Sequence, residues 1–435
     1  MSKTSSSSSL SPSLNYLRLI RGRLTAMRRD VPALAEFGER MAGPLLAGGD
    51  IFNTSIARWW PSEFGGRAGG LMGLRGGWHN QQPTGKKDVA YFAAPDPRTW
   101  DATKDERLAA LMKGRANLFV IGRPDEMRGV DAKRFAGFTG GAKAEEGLYG
   151  VGSHRPLALL RTFDQYVRGW IGAGEMIAAC TRGGKMPAIY MSVWLEGSVA
   201  RNAAMLHRDN LVEPWLQDLF LRDWYIPPVA PGRVAGDFLG FLDRVLATLV
   251  KQHAALAQAG EWLAEAKQAG KRIWAVLVGH SYPAILNLPD GHKDQTKSER
   301  ETMHREHAGR GGNPPPASDY PIEWGRSMSD LGKAFPRDLD AGDVGLHLGY
   351  GPINVPAANA LLRRGVRLIH TTPYGPMADM KPHKNFLYFD LPWRPGDAEV
   401  DIPGCGVRIL PGSSSAMTMA YNALLAEMAQ RMGWQ

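Results

Sequence analysis

Short, almost wholly apolar runs alternate along this chain with longer stretches of helical spacing. Residues 35–47 repeat apolar positions with a helical period, and Gly48-Gly49 ends them. Asp50-Ile51-Phe52-Asn53-Thr54-Ser55 then reads as a strand opening into a polar turn. The order recurs later: residues 241–268 form a long Ala/Leu helical pattern, Ala269-Gly270 stops it, and residues 272–278 are a buried strand followed by Gly279-His280-Ser281. A second pair of segments repeats as well. Residues 111–122 and 339–349 both read as helix end, glycine, polar residue, strand, glycine. Such self-similarity predicts two copies of one α/β unit.

Further strands are predicted at 89–93, 135–138, 188–194, 366–371, 386–389 and 407–410. They are short and nearly all apolar, as strands covered on both faces are. Strands alternating with helices imply parallel pairing. The predicted fold class is α/β: two tandem three-layer α/β/α units with mainly parallel sheets. The expected boundaries are a basic Ser/Arg-rich disordered tail over 1–30, a first unit over 31–225 and a second over 226–435. The Gly-rich stretch 65–85, with Arg67, and the polar stretch 287–318 read as long loops. The second is an insertion placed to fold over the 279–281 turn. In sheets of this type ligands gather at the carboxyl ends of the strands, so the loops there hold the candidate sites.

A length of 435 residues suits two such units. The formal charge of +9 could favour nucleic acid, acidic lipid or a phosphorylated metabolite. It is spread along the chain with much of it near the N-terminus, and it reads as a solvated surface with a basic tail, so nucleic acid is not the expected partner. Residues 1–29 contain no acid and include Ser5 to Ser9, as a disordered tail or a transit peptide does. Arg28-Arg29 lacks the apolar run that an export signal needs. No apolar stretch reaches membrane-spanning length, so no membrane partner is expected. Cys180 and Cys405 are distant in sequence, which fits a reducing, cytoplasmic location. There is no dinucleotide fingerprint, Walker sequence or Gly-x-Ser-x-Gly elbow, and no cofactor is expected. His292, His304 and His307 lie among Lys and Arg and read as part of a solvated lid, so no metal is expected either.

The most specific pattern lies near the end. Gly342-Asp343-Val344-Gly345-Leu346-His347-Leu348-Gly349-Tyr350-Gly351 leads to Asn354, a helix over 355–364, Gly365 and a strand over 366–370. Residues 404–427 follow as a short strand, a turn Ser413-Ser414-Ser415 and a long helix. With Gly279-His280-Ser281 after the first strand, residues 261–432 resemble the SIS (sugar isomerase) domain family, and residues 34–210 resemble it in outline. The resemblance implies a five-stranded parallel sheet in each unit and a small phosphorylated sugar, or a similar anion, as ligand. It places Gly279, Ser281, Tyr282, Gly349, Tyr350, Gly351, Asn354, Thr371, Thr372, Ser413, Ser414 and Ser415 around that ligand. Arg123 stands at the corresponding strand end of the first unit, where it would either meet an anion or block the site.

Helix N-termini present unpaired N–H groups and partial positive charge, and hydroxyls add donors without bulk. Aldose–ketose isomerisation would need a group to open the ring or polarise the carbonyl and a base to move a proton between carbons. His280 and Glu196 are the candidates. The family's Ser-x-Ser-Gly-x-Thr turn is here replaced by Gly349, Gly351 and Asn354, which supports the alternative of a non-catalytic module sensing a sugar phosphate. SIS units pair, either within one chain or in a homodimer.

Overall fold

The computed structural model describes residues 11–54, 56–57, 60–76, 83, 85–95, 97, 100–143, 147–149, 156–205, 219–221, 224–278, 323–325, 338–349, 353–373, 375, 379–380 and 382–433. The chain opens with α1 (Pro12–Leu46), β1 (Ile51–Asn53), α2 (Trp60–Phe64), β2 (Leu74–Gly76), β3 (Val89–Ala93), α3 (Glu106–Lys113), β4 (Asn117–Ile121) and β5 (Phe135–Phe138). A small antiparallel pair, β6 (Gly147–Tyr149) and β7 (Pro156–Leu159), precedes four helices: α4 (Leu160–Arg182), α5 (Ser198–Met205), α6 (Arg233–Lys251) and α7 (His253–Gln268). The remainder is β8 (Ile273–Val278), β9 (Glu323–Gly325), β10 (Val344–Gly349), α8 (Val355–Arg363), β11 (Arg367–Thr372), β12 (Phe386–Asp390) and α9 (Ser413–Arg431).

Both large sheets have five strands and every pairing in them is parallel. The first runs β2-β1-β3-β4-β5 and the second β9-β8-β10-β11-β12. Numbered within each sheet, both orders are 2-1-3-4-5. The strand order reverses between β1 and β3 in one sheet and between β8 and β10 in the other, and each reversal opens a crevice at the carboxyl ends.

Helices join the two sheets. α4 packs on β3 and β4, α9 packs on β10, and α1 touches α4, α6 and α9. α9 is buried from Ser413 to Ala429 and α4 from Leu160 to Thr181. A helix in such a position must satisfy most of the polar groups it carries. On α4, Arg161 pairs with Glu126, and Asp164 pairs with Arg23 and Arg168. Glu175 accepts from the backbone N–H groups of Gly232 and Ala235 at 2.9 and 2.8 Å. Gly232, the α6 N-cap, has no side chain to do this.

Several expectations are corrected. Residues 12–30 belong to α1 and are not a disordered tail. Tyr16, Leu17, Ile20, Leu24 and Met27 recur at helical spacing and are buried, so apolar burial outweighs the Ser/Arg-rich composition. The single helix expected over 241–268 is two helices parted at Gln252. Residues 188–194 form no strand: the isolated bridges Leu71 with Ile189 and Pro187 with Phe220, backbone bonds to residues 69–72 and the side chains of Arg201 and Asn202 hold this region. Residues 407–410 contribute one bridge, Val400 with Ile409.

Candidate functional site

The carboxyl edge of the second sheet brings several candidates into one row. Val278 pairs with Gly349, Leu348 with Thr371, and Thr372 with Asp390. The segments after β8 and β10 therefore leave from neighbouring strands at the point where strand order reverses. Asn354 is the N-cap of α8, its Oδ1 accepting from the Ala357 N–H at 2.9 Å. Pro356 has no N–H and the Ala357 N–H is taken by the cap, so the donor this helix start offers just beyond β10 is the Val355 N–H. Thr371 is fully buried, and its Oγ1 has no hydrogen-bond partner among the described residues. Thr372 lies at the strand end, where its carbonyl accepts from the Tyr388 hydroxyl at 3.0 Å. Gly279, His280, Ser281, Tyr282, Tyr350 and Gly351 lie outside the described residues, as do His292, His304 and His307.

One step below this edge lies a feature not anticipated from the sequence. His347 and His370 are register partners on β10 and β11, both fully buried, with their Nδ1 atoms 3.0 Å apart. Burial disfavours the imidazolium and pushes His347 down to about 4. Burial, and then its neighbour, push His370 down to about 3. Both rings are therefore neutral near pH 7, one Nδ1–H donating to the other Nδ1. Side chains alternate along a strand, so the pair shares a face with Gly349 and Thr372. The signal was two histidines in neighbouring apolar strands, but only the register brings them together.

The first sheet's edge is occupied by the protein itself. Gln165 of α4 donates to the carbonyls of Ala94 and Ile121 at 2.9 and 3.2 Å. Arg161 donates to Ala94 and Pro95 at 2.7 and 2.8 Å. Gly122, at φ 145°, has no room for a side chain, because a Cβ would lie 2.3 Å from Glu126 Oε2. Arg123 stands at the expected strand end, but its guanidinium is bound by Asp125 at 2.8 and 3.2 Å.

The serines are placed differently from expectation. Ser413, Ser414 and Ser415 are the buried first turn of α9, not an open turn before it. Arg67, also buried, donates to Ser414 Oγ at 2.5 Å and to Ser413 Oγ and Asp397 at 2.9 Å. It also pairs with Glu63 four residues away. Trp170 Nε1 donates to the same Glu63 at 2.9 Å. Burial raises the Glu63 carboxyl to about 7, more than Arg67 lowers it. Arg67, in the stretch read from sequence as a long loop, is the centre of a buried joint between segments over 300 residues apart in sequence. Nothing local in sequence signals Asp397 or Ser413 as its partners.

Glu196 does not follow a strand. It is exposed in the turn before α5. The neighbouring Leu195 lies over Gly396, where an added Cβ would come within 2.7 Å of Leu195 Cδ1. Among the described residues no helix is long and apolar enough to cross a membrane.

No family model matches the sequence, and no curated protein does. Among solved structures the chain is similar to the C-terminal domain of glucosamine-fructose-6-phosphate aminotransferase from Francisella tularensis. Identity is 11%, the TM-score is 0.47, and 99% of each chain is covered. It is also similar to a protein provisionally named as a phosphosugar isomerase from Silicibacter pomeroyi DSS-3, at 11% identity, a TM-score of 0.37 and 97% coverage of each chain.

Proposed function

We propose that the chain binds a small phosphorylated sugar at the carboxyl edge of the second sheet. The observation behind this reading is the pairing of Val278 with Gly349, which sets two loop-bearing strand ends side by side at the reversal of strand order, next to the α8 N-terminus. The Val355 N–H and the partial positive charge of the helix start suit an oxyanion, and Thr372 stands at the end of the next strand. The first sheet, whose corresponding carbonyls are taken by Gln165 and Arg161, contributes no ligand site in this reading. Isomerisation is the further step, and it rests on His280, two residues beyond the end of β8. With Glu196 on a separate exposed turn, the proton-moving base would have to come from elsewhere, so binding is the primary function.

Thermal shift and calorimetry with glucosamine 6-phosphate, fructose 6-phosphate and inorganic phosphate test the site. Asn354→Asp keeps a good N-cap while adding negative charge where the anion would sit. Its melting temperature without ligand should stay within a degree or so of wild type, and sugar-phosphate affinity should fall at least about tenfold, the effect of roughly 1.4 kcal/mol of repulsion. Wild-type affinity in Asn354→Asp, or no stabilisation by any of the three compounds, rules the site out. Turnover of a bound sugar phosphate, lost in His280→Ala with binding retained, selects the isomerase; binding without turnover selects the sensor.

A further inference from the structure

A cavity of about 280 Å³ lies away from both sheet edges, between residues 190–195 and 395–408. It exists because residues 188–194 form no strand and residues 394–408 turn repeatedly, with Gly396, Asp397, Gly404 and Gly406 all at positive φ. Leu195, Ile402 and Val407 supply apolar wall, and Ser192, Asp401 and Arg408 supply polar atoms.

The charge at the wall is unbalanced. Asp401 accepts from Arg394 Nη1 at 2.8 Å and from Arg408 Nε at 2.9 Å, so two guanidinium groups share one carboxylate. Arg408 uses only Nε in this bond, and its two terminal nitrogens have no hydrogen-bond partner among the described residues. Arg408 lines a hollow of mixed polar and apolar walls and is 42% exposed, so these nitrogens are open to a planar oxyanion such as a carboxylate. Aromatic side chains stand exposed near the walls: Trp194 follows the 190–193 segment, and Trp224 donates from Nε1 to the Gly404 carbonyl at 3.3 Å. The volume is at the small end of small-molecule pockets, which combine apolar walls with a few placed polar groups.

We propose that this cavity binds a small organic monoanion, a carboxylate on an apolar or aromatic body, with Arg408 holding the carboxylate and Leu195, Ile402 and Val407 contacting the body. A phosphate dianion fits less well, since a net charge of one and a single donor fork match a carboxylate. The proposal is independent of the sugar-phosphate site.

Phenylacetate, phenylacetamide and phenyl phosphate, titrated into the full chain by calorimetry and by quenching of tryptophan fluorescence, test it. Saturable binding of phenylacetate is expected, with phenylacetamide and phenyl phosphate at least tenfold weaker. Arg408→Gln changes a partly exposed side chain and should keep the wild-type melting temperature while weakening phenylacetate at least tenfold. Val407→Phe, which fills the hollow, should abolish binding, and Asn354→Asp should leave it unchanged. Equal binding of the amide, tighter binding of phenyl phosphate, full affinity in Arg408→Gln, or no saturable signal would each overturn the proposal.

Discussion

Replacing Arg67 with methionine removes the cation at the joint between α2, the Asp397 turn and the start of α9. The new side chain is apolar and of comparable length, so the main effect is electrostatic. Glu63 and Asp397 remain buried, and the hydroxyls of Ser413 and Ser414 lose their donor. Breaking a buried ion pair from one side costs about 3–5 kcal/mol. The cost should depend on pH, and the direction follows from Glu63. Its carboxyl is raised from 4.5 to about 7 in the folded protein. The carboxylate is therefore a penalty that is absent below the unfolded pKa, grows as pH rises and is complete above the folded pKa. Deleting Arg67 raises that pKa further. Variant and wild type carry the same Glu63 penalty up to about pH 7, and above it the variant continues to lose up to about 1.4 kcal/mol per pH unit. Urea unfolding followed by tryptophan fluorescence, with Trp170 on Glu63 as reporter, should show a larger deficit at pH 8.5 than at pH 6.5. Arg67→Met with Glu63→Gln should remove the widening. An equal deficit at the two pH values, or a loss below about 1 kcal/mol, would refute the reasoning.

The His347–His370 pair predicts an acid-sensitive limb. Both pKa values lie below the unfolded 6.5, at about 4 and about 3, so the stability tied to neutral imidazole is complete above pH 6.5 and declines towards pH 4. Each ring accounts for up to about 1.4 kcal/mol per pH unit. Calorimetric melting of His347→Leu with His370→Met should show a shallower fall between pH 6.5 and 4.5 than wild type, and parallel curves would exclude the pair as the cause. Two glycines of α1 form a matched comparison. At Gly38 an added Cβ would come within 2.6 Å of the Glu175 and Met176 backbone, whereas at Gly22 nothing lies within 4 Å. Gly38→Ala should cost at least about 1–3 kcal/mol, and Gly22→Ala should gain about 0.5–1 kcal/mol in the same unfolding assay. A neutral Gly38→Ala would mean that α1 and α4 are not in backbone contact.

What the sequence discloses here depends on how far apart the determining residues lie. β3 and β5 were read to the residue, at 89–93 and 135–138, since apolar runs closed by polar residues and turns are local signals. Residues 188–194 have the same apolar character but form isolated bridges and no strand, so composition alone mislabels them. The joint around Arg67 was illegible because its partners stand 330 and 346 residues away. At the candidate site, the motif around Gly349 and Asn354 located the strand end and the helix cap. Ser413 and Ser414, expected in an open turn, are instead buried in the first turn of α9, where Arg67 donates to their hydroxyls. The His347–His370 contact needed a strand register that periodicity does not supply.

The first helix is completed by the last. The backbone N–H and hydroxyl of Ser13 both donate to Glu427, 414 residues away, and Asn422 Nδ2 donates to the Tyr16 hydroxyl. During synthesis α1 precedes α4, α6 and α9, so the part of its face that meets α9 stays uncovered after α4 and α6 have emerged. Loops closed over such separations form slowly, and the waiting apolar stripe is exposed to aggregation in the meantime. A nascent chain stopped before α9 should therefore engage chaperones through its N-terminal segment, and neither half should mature on its own schedule.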